Sequence, residues 1–146
     1  MRKLIVATTL TAVAVALLAI PASASFDHHF TVFEKEVFKP NANETAFGFR
    51  GKLFDPRNRD DRVGRSRGRC ELRPHNSLLC RGTYHLNGEI GGFGDLKVRG
   101  TIHLPNDLRV NVIGGSGDFN GVGGKLVFEF LNQEGSKTLD HFALVR

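Results

Sequence analysis

The stretch Val110–Phe130, VNVIGGSGDFNGVGGKLVFEF, decides how this chain reads. Two short apolar runs flank a segment holding Gly114, Gly115, Gly117, Gly121, Gly123 and Gly124. Glycine reaches positive φ without a Cβ penalty, so the segment suits a tight, irregular connection between two strands. Beyond it, Leu126, Phe128 and Phe130 recur at period two while Val127 and Glu129 take the opposite face. That is the pattern of a strand with one buried side. A dinucleotide-binding loop is excluded: it sets glycines at first, third and sixth positions before a helix. Counted from Gly115, the sixth position is Asn120, and a strand pattern follows. A calcium-binding β-roll is excluded too, because Asp118 falls one place early and the pattern occurs once. The glycines read as corners and bulges of a sheet, with Asp118 and Asn120 holding the turn through side-chain–backbone hydrogen bonds.

The same alternation recurs on either side. In Asp95–Leu104, Leu96, Val98, Ile102 and Leu104 face one way and Lys97, Arg99, Thr101 and His103 the other. Pro105-Asn106 turns the chain into Leu108–Ile113. Upstream lie Phe30–Phe38, Thr45–Phe54, Val63–Leu72 and Leu78–Leu86; downstream, Gly124–Leu131 and Thr138–Val145 are joined by Asn132–Lys137. Twelve Phe, no Trp and many β-branched residues favour β structure, and no helical stripe of useful length follows the first 24 residues. Eight short strands with turns at this spacing predict an all-β domain, an antiparallel barrel or a β-sandwich. The expected inner wall is Phe47, Phe49, Leu96, Val98, Ile102, Leu126, Phe128 and Phe130.

Residues 1–24 read as a secretory signal peptide. Arg2 and Lys3 precede the uncharged Leu4–Ile20, and Pro21-Ala22-Ser23-Ala24 supplies an Ala-x-Ala cleavage site. Removal leaves residues 25–146 as one domain and takes the formal charge from +5 to +3, since Arg2 and Lys3 are lost. No other apolar run approaches the roughly 18 residues of a membrane helix. The expected product is secreted and not inserted in a membrane. Cys70 and Cys80 fit an oxidising compartment. They flank the turn-like Arg73–Ser77, and a three- or five-residue hairpin loop would set them directly opposite each other. The disulfide is preferred over a catalytic thiol, which lacks a partner motif, and two thiols without Cys-x-x-Cys argue against a zinc site.

Ile113-Gly114-Gly115-Ser116-Gly117-Asp118-Phe119, with its glycine-rich entry into another strand, resembles the Gly-Gly-Thr-Gly-x-Phe signature of dirigent proteins and of the related bacterial allene-oxide-cyclase-barrel-like proteins. The resemblance spans about Leu96 to Val145, roughly the C-terminal half. It implies a single antiparallel eight-stranded β-barrel of the allene oxide cyclase/dirigent type, which leaves the sandwich as the alternative. Such barrels fold a reactive intermediate into one geometry, often with no cofactor, and the resemblance further implies homo-oligomers. Val32-Phe33-Glu34 looks similar to the Val-Tyr-Glu of plant allene oxide cyclases, whose glutamate lies inside the barrel. Where those proteins place a functional asparagine two residues on, this chain has Glu36.

Glu34 and Glu36 are therefore the candidate catalytic residues. A carboxylate inside an apolar barrel has its pKa raised by desolvation and suits proton transfer; the other reading is a solvent-facing edge of a frayed strand. Phe47, Phe49, Tyr84 and Phe128 are the candidate ligand-binding residues, Tyr84 being the chain's one tyrosine. Seven arginines crowd residues 57–73, interrupted by Asp60 and Asp61 and without interleaved aromatics, which argues against nucleic acid. In a strand, Arg65, Arg67 and Arg69 share one face over Gly64, Ser66 and Gly68. The face is either solvated or an anion-attracting patch near the barrel mouth. His28 and His29 fit a disordered terminus better than a metal site, His103 and His141 lack a triad motif, and Asn43-Glu44-Thr45 fits a glycosylation sequon.

The expected function is a secreted small β-barrel binding an apolar or phenolic small molecule. If it is an enzyme, it is a cofactor-free cyclase or isomerase that guides cyclisation or coupling, mainly by positioning with one or two acid–base groups. The alternatives are a non-catalytic carrier barrel, or a structural extracellular or envelope protein with a packed interior. An accessible cavity of roughly 300 Å³ or more, lined by Phe and reached by Glu34, Glu36 or Tyr84, favours a ligand.

Overall fold

A computed structural model describes residues 27–40 and 45–146. Residues 1–24, and Asn43 and Glu44 of the sequon, lie outside the described residues. The chain forms eight strands: β1 (Asp27–Pro40), β2 (Ala46–Phe54), β3 (Arg62–Arg73), β4 (Ser77–Asn87), β5 (Phe93–His103), β6 (Arg109–Gly115), β7 (Gly123–Phe130) and β8 (Lys137–Val145). Each pairs antiparallel with the next, and β1 also pairs with β8, so the sheet closes into a barrel. Closure rules out the sandwich. It also leaves no strand as the edge of an open sheet. Among the described residues no helix is long and apolar enough to cross a membrane.

Alternation along each strand sends apolar side chains inward, and the inner faces of Leu53, Leu86, Leu96, Leu126 and Leu144 are fully buried. β1 seemed irregular because two of its faces are covered. Val32 and Glu34 point into the barrel, whereas Phe33 points outward yet is only 1% exposed. The β2–β3 connection folds over it, bringing the Arg59 guanidinium 4.3 Å from the Phe33 ring beside Phe54. The strand is not frayed. His28 and His29 are likewise in β1, not in a disordered terminus: the register sets them opposite Leu144 and Ala143, and His28 Nε2 lies 2.6 Å from the Gly91 carbonyl oxygen.

The hairpin β3–β4 turns through three residues, Pro74 to Asn76, and its register places Cys70 directly opposite Cys80 in a disulfide. The glycine stretch between β6 and β7 forms a 3-10 turn, Gly117–Phe119, that folds under one end of the barrel. Asp118 accepts a 2.8 Å hydrogen bond from the Phe93 amide, tying this turn to the start of β5. At Gly94 and Gly117 φ is positive, and an added Cβ would meet the backbone of the other segment, so these two glycines let the connections cross in contact. Phe119 is delivered into the core, where it stacks with Phe30, which in turn stacks with Phe142 at 4.8 Å. The three rings stopper that end. The opposite end, where β1, β3, β5 and β7 finish and β2, β4, β6 and β8 begin, is the mouth.

Candidate functional site

Between stopper and mouth the inner wall turns polar. Glu34 from β1, Ser66 from β3, Tyr84 from β4, and Thr138 and Asp140 from β8 are all buried. The pairing brings them together: Glu34 lies opposite Thr138, and Ser66 opposite both Tyr84 and Gly51. The Ser66 hydroxyl donates to Glu34 Oε1, and the Tyr84 hydroxyl donates to Oε2 at 3.3 Å. Thr138 donates to Asp140 Oδ1 at 2.7 Å. Gly51 makes the room. A Cβ at that position would run into the Glu34 carboxyl group and the Ser66 hydroxyl.

Burial sets the protonation of this layer. Desolvation pushes Glu34 well above the usual carboxylate range, and the neighbouring charge of Asp140 pushes it further. Asp140 is raised by burial but held back by hydrogen bonds from Glu34, Thr138 and Tyr84. Of the pair, Glu34 is therefore the one that keeps the proton. Thr138 takes Asp140 Oδ1, and the proton that Glu34 retains is the one available to Oδ2. Burial also pushes the Tyr84 phenol up, so it stays protonated as a donor. Glu36 lies two residues nearer the mouth and is pushed up to about 8, first by desolvation and then by the charge of Asp140.

Above this layer lies a cavity of about 70 Å³, open at the mouth. Glu36, Tyr84 and Thr138 provide its polar floor, and Phe47, Phe49 and Phe128 stand in its wall. All the candidate ligand-binding residues thus line one space, together with Glu36. Glu34 lies beneath it and reaches it only through Glu36 and Tyr84. The enclosed volume falls short of the roughly 300 Å³ that a drug-sized ligand fills. Phe130, expected in the inner wall, is 45% exposed. It keeps the inward register of Leu126 and Phe128, but it lies at the end of β7 where the barrel opens, so it forms the lip. Leu104, expected on the inner face of its strand, stands past the end of β5 and is exposed at the same lip.

Asp140 escaped the sequence reading. Its signal is present: Phe142 and Leu144 are inward, and stepping back at period two gives Asp140 and Thr138. Among the described residues no group of three His, Cys, Asp or Glu side chains is arranged to hold a metal ion.

No protein-family model and no curated protein sequence matches the chain. Solved structures do match its backbone. The pterocarpan synthase dirigent protein GePTS1 superposes with a TM-score of 0.64 at 12% identity, over 83% of this chain and 84% of that one. The fold is that of the dirigent barrels. A second pterocarpan synthase dirigent protein, PsPTS1, gives 0.61 at 14% identity over 82% and 94% of the two chains. A pyocyanin demethylase gives 0.54 at 17% identity over 82% and 98%. At these identities the dirigent-barrel likeness concerns the fold, and the chemistry has to be argued from this chain's own residues.

Proposed function

We propose that this barrel binds an apolar or phenolic small molecule at its mouth and moves a proton on it, guiding a cyclisation or coupling without a cofactor. The observation that carries the reading is Glu36, a carboxyl group with a pKa near 8, at the floor of a Phe-lined cavity and backed by buried Glu34, Tyr84 and Asp140. A general acid–base group works best when its pKa lies near the ambient pH. Glu36 is the group that meets the ligand. Tyr84 donates a hydrogen bond from the floor, while Glu34 and Asp140 hold and return the proton beneath. The small enclosed volume requires a ring inserted edge-on, part of it standing between Phe47, Phe128 and Phe130. Solved structures that share this fold, a pterocarpan synthase dirigent protein and a pyocyanin demethylase, carry names tied to chemistry on small molecules and support the class of ligand.

The test uses 2-naphthol, a fluorescent apolar phenol, titrated with the purified protein from pH 5 to 9. Saturable binding is expected, weakened about tenfold in Phe47→Ala by the loss of aromatic contact, with an inflection near pH 8 that disappears in Glu36→Gln. Absence of saturable binding, or binding indifferent to both substitutions, would sink the proposal. An inflection lost without any loss of affinity below pH 7 separates a proton-transfer role for Glu36 from simple packing.

A further inference from the structure

The outside of the barrel carries a second feature, which adjoins the interior cavity at Glu36 and Arg81. Along β2–β5 the outward positions are cations placed face to face. Arg50 is paired with Arg67, Lys52 with Arg65, Arg69 with Arg81, and Arg81 with Arg99. Every one of these side chains is exposed. Like charges directly opposite on a sheet destabilise it, and here four such pairs adjoin. The acids nearby are already engaged: Glu71 pairs with Arg73 at 3.1 Å and approaches Arg69 at 4.0 Å, and Asp95 lies 2.7 Å from His85. Among the described residues Arg50, Lys52, Arg65, Arg67, Arg81 and Arg99 make no ion pair. Two hollows of about 640 and 900 Å³ adjoin these side chains, the larger one also bordered by Glu36 and Asp95.

We infer that this face is a docking surface for an acidic polysaccharide. Neighbouring strands lie about 4.8 Å apart and same-face residues about 6.7 Å apart, so the cations form a grid suited to a linear chain of anions. Most of them are arginines, whose guanidinium fork donates two parallel hydrogen bonds to a carboxylate or sulfate. Thr83 lies between Arg67 and Lys97 in the pairing and offers a hydroxyl to sugar hydroxyls. The aromatic ring that adjoins these cations on the outward face, Phe54, is half-buried beside Phe33 with Lys35 over it, and is not free to stack bases as a single-stranded nucleic-acid platform requires. The disulfide locks the β3–β4 hairpin that bears Arg65, Arg67, Arg69 and Arg81, and it belongs to an oxidising compartment, where polysaccharides are the abundant polyanions.

The experiment titrates the purified, disulfide-intact protein with a heparin oligosaccharide and with polygalacturonate, over a range of salt concentrations. Binding should weaken linearly in log–log form with salt, and bound polymer should raise Tm by relieving the opposed charges. The double variant Arg67→Ser/Arg81→Ser should lose at least about tenfold in affinity and reduce the salt slope by about two charges. Arg67→Lys/Arg81→Lys, which keeps the charge and loses the fork, should fall between. Lys125→Ser/Lys137→Ser, on β7 and β8 across the barrel, should leave binding unchanged. Equal loss in that last pair, or no binding by the parent protein, overturns the docking face. Tighter binding of an oligodeoxynucleotide of equal charge overturns the polysaccharide as its occupant.

Discussion

Gly51 shows how one missing side chain shapes the site. Its Cα faces the barrel interior where the Glu34 carboxyl group and the Ser66 hydroxyl converge, so Gly51→Ala overpacks the polar layer. A loss of about 1–3 kcal/mol is expected in urea denaturation, and an unchanged midpoint would show that the carboxyl group does not occupy that space. Glu36 gives a complementary case. Below its raised pKa it is a neutral acid, much like glutamine; above it, a charge is forced into an apolar pocket. Glu36→Gln should therefore leave Tm near that of the parent at pH 5 and raise it at pH 9, measured by thermal unfolding at each pH. Of these residues, Glu34 and Glu36 were legible because they interrupt an apolar strand. Asp140 was not, since Thr138 and Asp140 together make the start of β8 look like a continuation of the polar connection before it. The direction of Phe33 was also hidden, because only the folded β2–β3 connection places Arg59 over its outward ring.

At the level of elements, the strands were readable wherever one face is apolar and the other wet, as in β5 and β7, and so was the hairpin that sets Cys70 against Cys80. The chain-entropy estimate for so short a closed loop gives about 3 kcal/mol. Cys70→Ser/Cys80→Ser should lower the unfolding free energy in urea by about that amount while the β-sheet circular dichroism is retained. Loss of the sheet signal itself would mean that the disulfide is needed to form the hairpin and not merely to stabilise it. The glycine connection was read correctly as structural, but one of its roles was invisible: delivery of Phe119 into the stopper depends on a contact between the β4–β5 and β6–β7 ends that no local pattern encodes.

For the whole molecule, the buried acids set the response to pH. Glu34 and Glu36 have folded-state pKa values above the ordinary 4.5, so through that interval the folded state holds more protons than the unfolded one. Stability is then fullest at or below about pH 4.5 as far as these two groups are concerned, and is lost as the pH rises toward 8. Tm should fall from pH 5 to pH 9 by several degrees, on the order of 3–5 °C for each kcal/mol lost. The double variant Glu34→Gln/Glu36→Gln should flatten that slope; a parent Tm that rises over the same interval would place the carboxyls in water. The seam of the ring has a different kind of consequence. Glu34 belongs to β1 and Asp140 to β8, the two strands whose pairing closes the barrel. A nascent chain still lacking Lys137–Val145 has neither a closed sheet nor an acid pair, however much of β1–β7 has been synthesised. Closure of the wall and assembly of the buried acid pair therefore depend on the same last nine-residue strand.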